Sequence, residues 1–166
     1  MSNLINSCLK TLQNTEILLE RLSDDLIYSN KTVAPYYSSI GSHVRHILDF
    51  YNCIVNEDDT GVNLTNRTRN LEVESCCSNA LSYFNELIDK LKSLEKDENR
   101  MLVVTDDLGS GIIKLNYTFG ALMAQANSHT IHHYAIINYI LDRLDVSLDD
   151  TRFGFNPTTP EVVRQY

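Results

Sequence analysis

The chain has 166 residues, of which 43% are hydrophobic and 22% are charged, and its formal net charge is −8 at pH 7. This length and composition predict one globular domain, spanning residues 1–166, whose core needs no disulfide or structural metal. Because nucleic-acid binding needs clustered lysines and arginines and a membrane span needs a long apolar run, the chain is expected to bind neither nucleic acid nor a membrane.

Four segments carry apolar residues at steps of three and four, which is the spacing of an amphipathic helix. These predicted helices cover residues 3–28, a segment that begins after Pro35, residues 71–96 and residues 118–144. Ser38 or Ser39 is the expected N-cap of the second helix. Four such helices predict an all-α protein, a four-helix bundle. The connection over residues 57–70 is long enough to run the length of the bundle, which allows an up-down-down-up order.

Between the third and fourth predicted helices, residues 101–117 change from a helical to an alternating pattern. Two short apolar runs flank the glycine-rich segment Asp107-Leu108-Gly109-Ser110-Gly111, which is typical of a β-hairpin. Ile113, Leu115 and Tyr117 alternate with polar residues and give this hairpin one apolar face. We interpret the hairpin as an appendage on the bundle.

The fourth predicted helix contains the pair His129 and His133, four residues apart and therefore on the same face. An apolar stripe runs along this helix and places the pair between Ala126 and Ile136. Buried imidazoles need partners, and a metal ion is one way to supply them. Hydrogen-bonded structural histidines fit the same spacing, so the pattern alone leaves both interpretations open.

The second predicted helix contributes His43 and His46, and His132 is the last of the five histidines. One imidazole from this helix would complete a three-histidine site with open coordination positions, as in catalytic metal centres. Helical rotation places His43 nearer to the apolar stripe than His46. His132 points away from its own stripe and is expected at the surface or behind the ligands.

Two short motifs resemble those of the DinB-like (YfiT-like) family of metal-dependent enzymes. Ser39-Ile40-Gly41 followed by His46-Ile47 is similar to the second-helix motif of this family, and His129-Thr130-Ile131-His132-His133 is similar to its fourth-helix motif. The resemblance covers the chain from the first helix to about Leu144. It implies that His46, His129 and His133 are the metal ligands. Helical rotation keeps His43 as the substitute for His46.

The resemblance implies a metal-dependent hydrolase or a thiol-dependent S-transferase that acts on a small molecule, with a low-molecular-weight thiol as a candidate cosubstrate. Imidazole ligands suit zinc, nickel, copper and iron, of which we expect zinc or nickel. Four residues near the predicted site are candidate helpers: Arg45, Asp49, Tyr51 and Tyr134. A metal-binding bundle without catalysis and a metal-free interaction module are the alternatives, and the sequence identifies no catalytic residue.

Arg67 and Arg69 lie in the long connection and have two interpretations. They can receive an anionic substrate group, because arginine suits carboxylates. They can also pair with the excess carboxylates of the chain and fix the connection, which is the interpretation that the acidic composition favours.

The C-terminal tail, residues 146–166, carries Phe153 and Phe155 and then a helix-start signal at Thr159-Pro160. A small bundle cannot cover these rings and the hairpin face together, so we expect a symmetric homodimer, as family members often are. The N-terminus lacks the basic-then-apolar order of a secretion signal, which predicts a cytoplasmic protein.

Overall fold

The computed structural model describes residues 3–148, 150 and 152–160. In this part of the chain, helices and strands follow one another as α1 (Asn3–Arg21), α2 (Asp25–Tyr28), α3 (Ile40–Val55), β1 (Val62–Asn63), α4 (Leu71–Ser75), α5 (Cys77–Lys92), β2 (Met101–Asp107), β3 (Ile112–Thr118) and α6 (Phe119–Arg143).

Four long helices surround the core. Helices α1 and α3 each pack against both α5 and α6. The N-cap of α3 is Ser39, as predicted, and its hydroxyl accepts a hydrogen bond of 3.0 Å from the backbone N–H of Ser42. Helix α6 begins after Thr118 and ends at Arg143, close to the predicted bounds. The two helices that carry the histidines are therefore neighbours in space.

The first and third predicted helices are each interrupted. The first ends at Arg21, because Asp24 caps the separate short helix α2 by accepting hydrogen bonds from the N–H groups of Leu26 and Ile27. The third breaks at Cys76, whose backbone is extended. The carboxylate of Asp25 accepts a hydrogen bond of 2.7 Å from the N–H of Cys77 and so caps the start of α5. Each prediction of one continuous helix was wrong because capping by distant or local carboxylates outweighs the helical period.

The predicted all-α class, a four-helix bundle in an up-down-down-up order, is wrong. The chain has a mixed α/β structure with a three-stranded sheet in the order β1-β2-β3. The predicted hairpin is confirmed, since β2 and β3 pair antiparallel from Met101–Thr118 to Asp107–Ile112. Strand β1 comes from the long connection and pairs parallel with β2, with Val62 opposite Val104. The sheet is therefore part of the fold and not an appendage.

Several contacts hold the connection that contains β1. At its start, the carboxylate of Glu57 accepts hydrogen bonds from Arg100, at 2.9 and 2.6 Å, and from Lys96. Just after β1, the N–H of Leu64 donates a hydrogen bond of 2.9 Å to the carbonyl of Thr105 on β2. These contacts fix the course of the connection between α3 and α4.

The tail is partly covered by its own chain. Phe153 is 2% exposed and lies against Tyr134, with 5.3 Å between ring centroids, whereas Phe155 is about half exposed. One of the two rings on which the homodimer prediction rests is therefore covered within the chain, and the dimer stays a prediction. A helix after Thr159-Pro160 falls on residues 161–166, outside the described part of the chain. None of the described helices is long and apolar enough to cross a membrane.

Candidate metal centre

Three histidine rings from two helices meet at one point. His46 comes from α3, and His129 and His133 come from successive turns of α6. The ring centroids are 4.5 Å apart for His129–His133, 4.7 Å for His46–His133 and 4.9 Å for His46–His129. The three rings are therefore nearly equidistant and surround a common centre.

The ring nitrogens converge on this centre as well. Nε2 of His129 lies 2.8 Å from Nε2 of His46 and 3.0 Å from Nε2 of His133. Nitrogens bound to one ion at 2.0–2.1 Å are separated by about 3 Å, which is close to these distances. His46, His129 and His133 thus lie close enough together to hold a metal ion.

The histidines flank the buried stripe of α6 and do not form part of it. The stripe continues from Ala126 through Thr130 and Tyr134, each of which is 1% exposed, and both polar side chains are satisfied internally. Thr130 donates to the carbonyl of Ala126, and the Tyr134 hydroxyl shares a hydrogen bond of 2.6 Å with Thr15. His129 and His133 stand at the edge of this stripe, and His129 is partly buried.

The electrostatic environment keeps these imidazoles neutral. Burial lowers the pKa of His46 to about 3, and the positive charge of Arg67 adds to this effect. Burial lowers the pKa of His133 to about 2, and the neighbouring histidines add to it. The pKa of His129 is shifted in the same direction, again chiefly by burial. A neutral imidazole is the form that binds a metal ion. At neutral pH the cluster therefore presents three nitrogen donors without net charge of its own.

His43 contacts His133 on the side that faces away from the centre of the cluster. Its Nδ1 lies 2.8 Å from Nδ1 of His133, and its Nε2 lies 2.8 Å from the hydroxyl of Ser38. Nε2 of His133 faces the centre of the cluster, so His43 contacts the nitrogen that points away from it. A partner at this outer nitrogen fixes the tautomer and the orientation of a metal-binding imidazole.

The predicted helpers pair with other side chains or lie in the core. Asp49 is 2% exposed and receives hydrogen bonds from Arg45, at 3.0 Å, and from the hydroxyl of Tyr83, at 3.1 Å. Tyr51 and Tyr134 are fully buried in the core. Asp49 therefore has Arg45 and Tyr83 as hydrogen-bond partners, and the two tyrosines belong to the core.

His132 is exposed, as predicted. Its ring centroid lies 5.4 Å from that of His133 and 6.5 Å from that of His129. It borders the cluster without contributing to it, because His46, His129 and His133 are the residues whose ligand atoms come together.

Arg67 contacts the cluster directly. Its NH1 donates a hydrogen bond of 2.9 Å to Nδ1 of His46, and its Nε donates one of 2.7 Å to the carbonyl of Leu64. The favoured interpretation of the sequence, pairing with carboxylates, does not describe this residue. The alternative interpretation, an arginine that receives an anionic group, requires a position near the site, and no pattern in the sequence places residue 67 next to residue 46.

Comparisons with protein-family models, with curated proteins and with solved structures found no match to this chain.

Proposed function

We propose that this chain is a metal-dependent enzyme of the DinB-like type, which acts on a small molecule through one divalent transition-metal ion held by His46, His129 and His133. The observation that carries the proposal is the convergence of three neutral imidazoles on one point at the edge of the core. The motifs Ser39-Ile40-Gly41, His46-Ile47 and His129 to His133 support the family assignment.

A catalytic role for the ion fits the site better than a structural one. Structural zinc sites are closed by four protein ligands, whereas three imidazoles leave at least one position for water or substrate. The hydrophobic core consists of other side chains of the long helices and the sheet, so the histidines are available to bind an ion. The rings of His46 and His129 remain partly exposed, which leaves a path to the site.

The chemistry follows from the donor set. An ion held by neutral ligands keeps its full charge, which lowers the pKa of bound water or a bound thiol and polarises a carbonyl group. The ring nitrogens of His46, His129 and His133 would hold this ion, and the packing of α3 against α6 would exclude water from one side of it. Hydrolysis of an ester or amide, or transfer to a low-molecular-weight thiol, is the proposed type of reaction. Zinc or nickel is the proposed ion.

We expect replacement of His43 by alanine to weaken metal binding without abolishing it. His43 positions His133 through its outer nitrogen, and loss of such a partner costs about tenfold to a hundredfold in affinity. Replacement of His46 removes a ligand atom and should cost far more. Competition with a chelator of known affinity measures both variants. A larger loss for His43→Ala than for His46→Ala would show that His43, and not His46, is the third ligand.

Activity assays of the metal-free and metal-reconstituted protein test the proposed enzyme. The substrates are a panel of small esters and amides, and small thiols with an electrophilic acceptor. Turnover should require zinc or nickel and should be lost in His133→Ala. His132→Ala is the matched control, because it removes an exposed imidazole from the adjacent position and should retain turnover.

Turnover that is unaffected by removal of the metal, or that survives in His133→Ala, would contradict the proposal. Stoichiometric metal binding with no turnover on any substrate of the panel would favour a metal-binding protein without catalysis.

A further inference from the structure

Arg67 contacts the metal centre through His46, and it has no carboxylate partner among the residues that the structure describes. Ion pairs in the described part of the chain involve Arg45, Lys96 and Arg100, and none involves Arg67. The guanidinium is partly buried, and its NH2 group forms no hydrogen bond with the described residues. In a chain with net charge −8, this absence of a counter-ion is notable because acidic side chains are abundant.

The backbone holds Arg67 in this place. The carbonyl of Leu64 accepts from Nε of Arg67, and the N–H of Leu64 is bonded to Thr105 on β2. Strand β1 ends one residue before Leu64 and is paired with β2. The sheet therefore positions the guanidinium beside α3, with its NH1 and NH2 edge available to another group.

Metal binding removes the acceptor that Arg67 uses in this structure. A neutral imidazole has one N–H donor and one acceptor nitrogen. If Nε2 of His46 binds the ion, the proton resides on Nδ1, and Nδ1 can no longer accept the hydrogen bond from NH1 of Arg67. Two donors then face each other, and the guanidinium needs a new acceptor.

The positive charges around a metal-bound site favour an anion as the new acceptor for Arg67. A divalent ion on neutral histidines and an unpaired guanidinium add up to three positive charges. Asp106 is the carboxylate that acts on the cluster, through its effect on His129, and it forms no ion pair with Arg67. One carboxylate matches the two parallel N–H groups of NH1 and NH2, which bind such a group in bidentate fashion.

We propose that Arg67 binds the carboxylate of a small anionic substrate whose other end binds the metal ion. This inference rests on the proposed function, since it assumes an open position on the ion. NH1 lies one imidazole ring away from the metal-facing nitrogen of His46. The substrate class is therefore a small molecule with a carboxylate a few atoms away from the group that reacts. Arg67 would bind the carboxylate and set this specificity, and it does not bind the metal ion.

Cobalt(II) bound to the full-length protein provides a direct test, because a thiolate ligand gives cobalt a charge-transfer absorption band. Saturating cobalt is followed by titration with 3-mercaptopropionate or with the neutral 3-mercaptopropionamide. Both offer the same thiol, and only the first offers a carboxylate. We expect the carboxylate compound to bind about 10- to 100-fold more tightly, as one charged hydrogen-bonded pair provides.

Arg67→Gln should remove this preference, so that the variant binds the two compounds with the same affinity as each other. Arg67→Lys should keep part of it, because lysine retains the charge and loses the bidentate geometry. Arg69→Gln is the matched control: it removes the same charge from an exposed residue two positions along and should keep the full preference.

Equal affinity of the wild-type protein for the two compounds would overturn the assignment of Arg67, with the metal centre intact. A preference that persists in Arg67→Gln, or that falls equally in Arg69→Gln, would overturn it too. If cobalt binds but neither thiol produces the absorption band, the open coordination position is wrong, and the proposed function fails together with this inference.

Discussion

The double variant His129→Ala/His133→Ala is expected to lose stoichiometric metal binding while it keeps its helices. These residues supply two of the three converging nitrogens, and one remaining imidazole on α3 cannot hold a divalent ion by itself. The rings lie at the edge of the core, whose buried residues are other side chains of α6. The variant should therefore show the far-ultraviolet circular dichroism of the wild-type protein.

Metal content and thermal stability check this prediction together. A ligand that binds only the folded state stabilises it by about 4 kcal/mol at a free concentration of 1,000 times its Kd. Excess zinc should therefore raise the Tm of the wild-type protein and leave that of the double variant unchanged. His132→Ala, which alters an exposed neighbour, should behave like the wild-type protein. Unchanged metal content in the double variant would place the site elsewhere.

Replacement of Gly41 by alanine is expected to cause the largest loss of stability. A Cβ at this position would lie 2.0 Å from the carbonyl oxygen of Glu74 and 2.7 Å from the ring of Tyr28. Helices α3 and α4 would have to separate, and the hydrogen bond of 2.9 Å from the Tyr28 hydroxyl to Val73 would be strained. We expect a loss of about 3 kcal/mol in the free energy of unfolding, at the upper end of overpacking effects.

Gly109→Ala is the matched control for this variant. Nothing lies within 4 Å of a Cβ at Gly109, but φ is +97°, so alanine incurs only a conformational cost of about 1 kcal/mol. Urea denaturation of both variants measures the difference. A Gly41→Ala protein as stable as Gly109→Ala would mean that α3 and α4 do not pack as closely as described.

The role of Gly41 gives a physical meaning to part of the family resemblance. In Ser39-Ile40-Gly41, the serine caps α3, the isoleucine is buried and the glycine admits the backbone of Glu74. The motif therefore starts α3 and allows it to pack closely on α4, and His46 follows five residues after Gly41.

Much of the local structure was predictable, because its causes are local. The Ser39 cap and the steps of three and four along Val44, Ile47 and Tyr51 define α3. The glycine-rich turn after Asp107 defines the hairpin, since the Asp107 carboxylate accepts hydrogen bonds from the N–H groups of Gly109 and Gly111.

Features that depend on distant contacts escaped prediction. Strand β1 has two residues, too few to display an alternating pattern, and it exists because β2 offers an edge to pair with. The break before α5 depends on Asp25, which lies 52 residues from Cys77 along the chain. The buried stripe of α6 passes through Thr130 and Tyr134 because both side chains find internal hydrogen bonds.

The residues of the candidate site also fall into those that the sequence could predict and one that it could not. His129 and His133 could be paired from their spacing, and the resemblance selected His46 over His43, although helical rotation favoured His43. Those three residues are the ones that the fold brings together. The place of Arg67 could not be predicted, because it follows from the pairing of β1 with the sheet and from no pattern in the residues around it.

Anomalous diffraction from a crystal of the zinc-loaded protein tests the central claim most directly. We predict one peak per chain, about 2.0–2.1 Å from Nε2 of His46, His129 and His133, with at least one further position open to solvent. A peak bound by other residues, a fourth protein ligand that closes the site, or no peak at the three histidines would contradict the account.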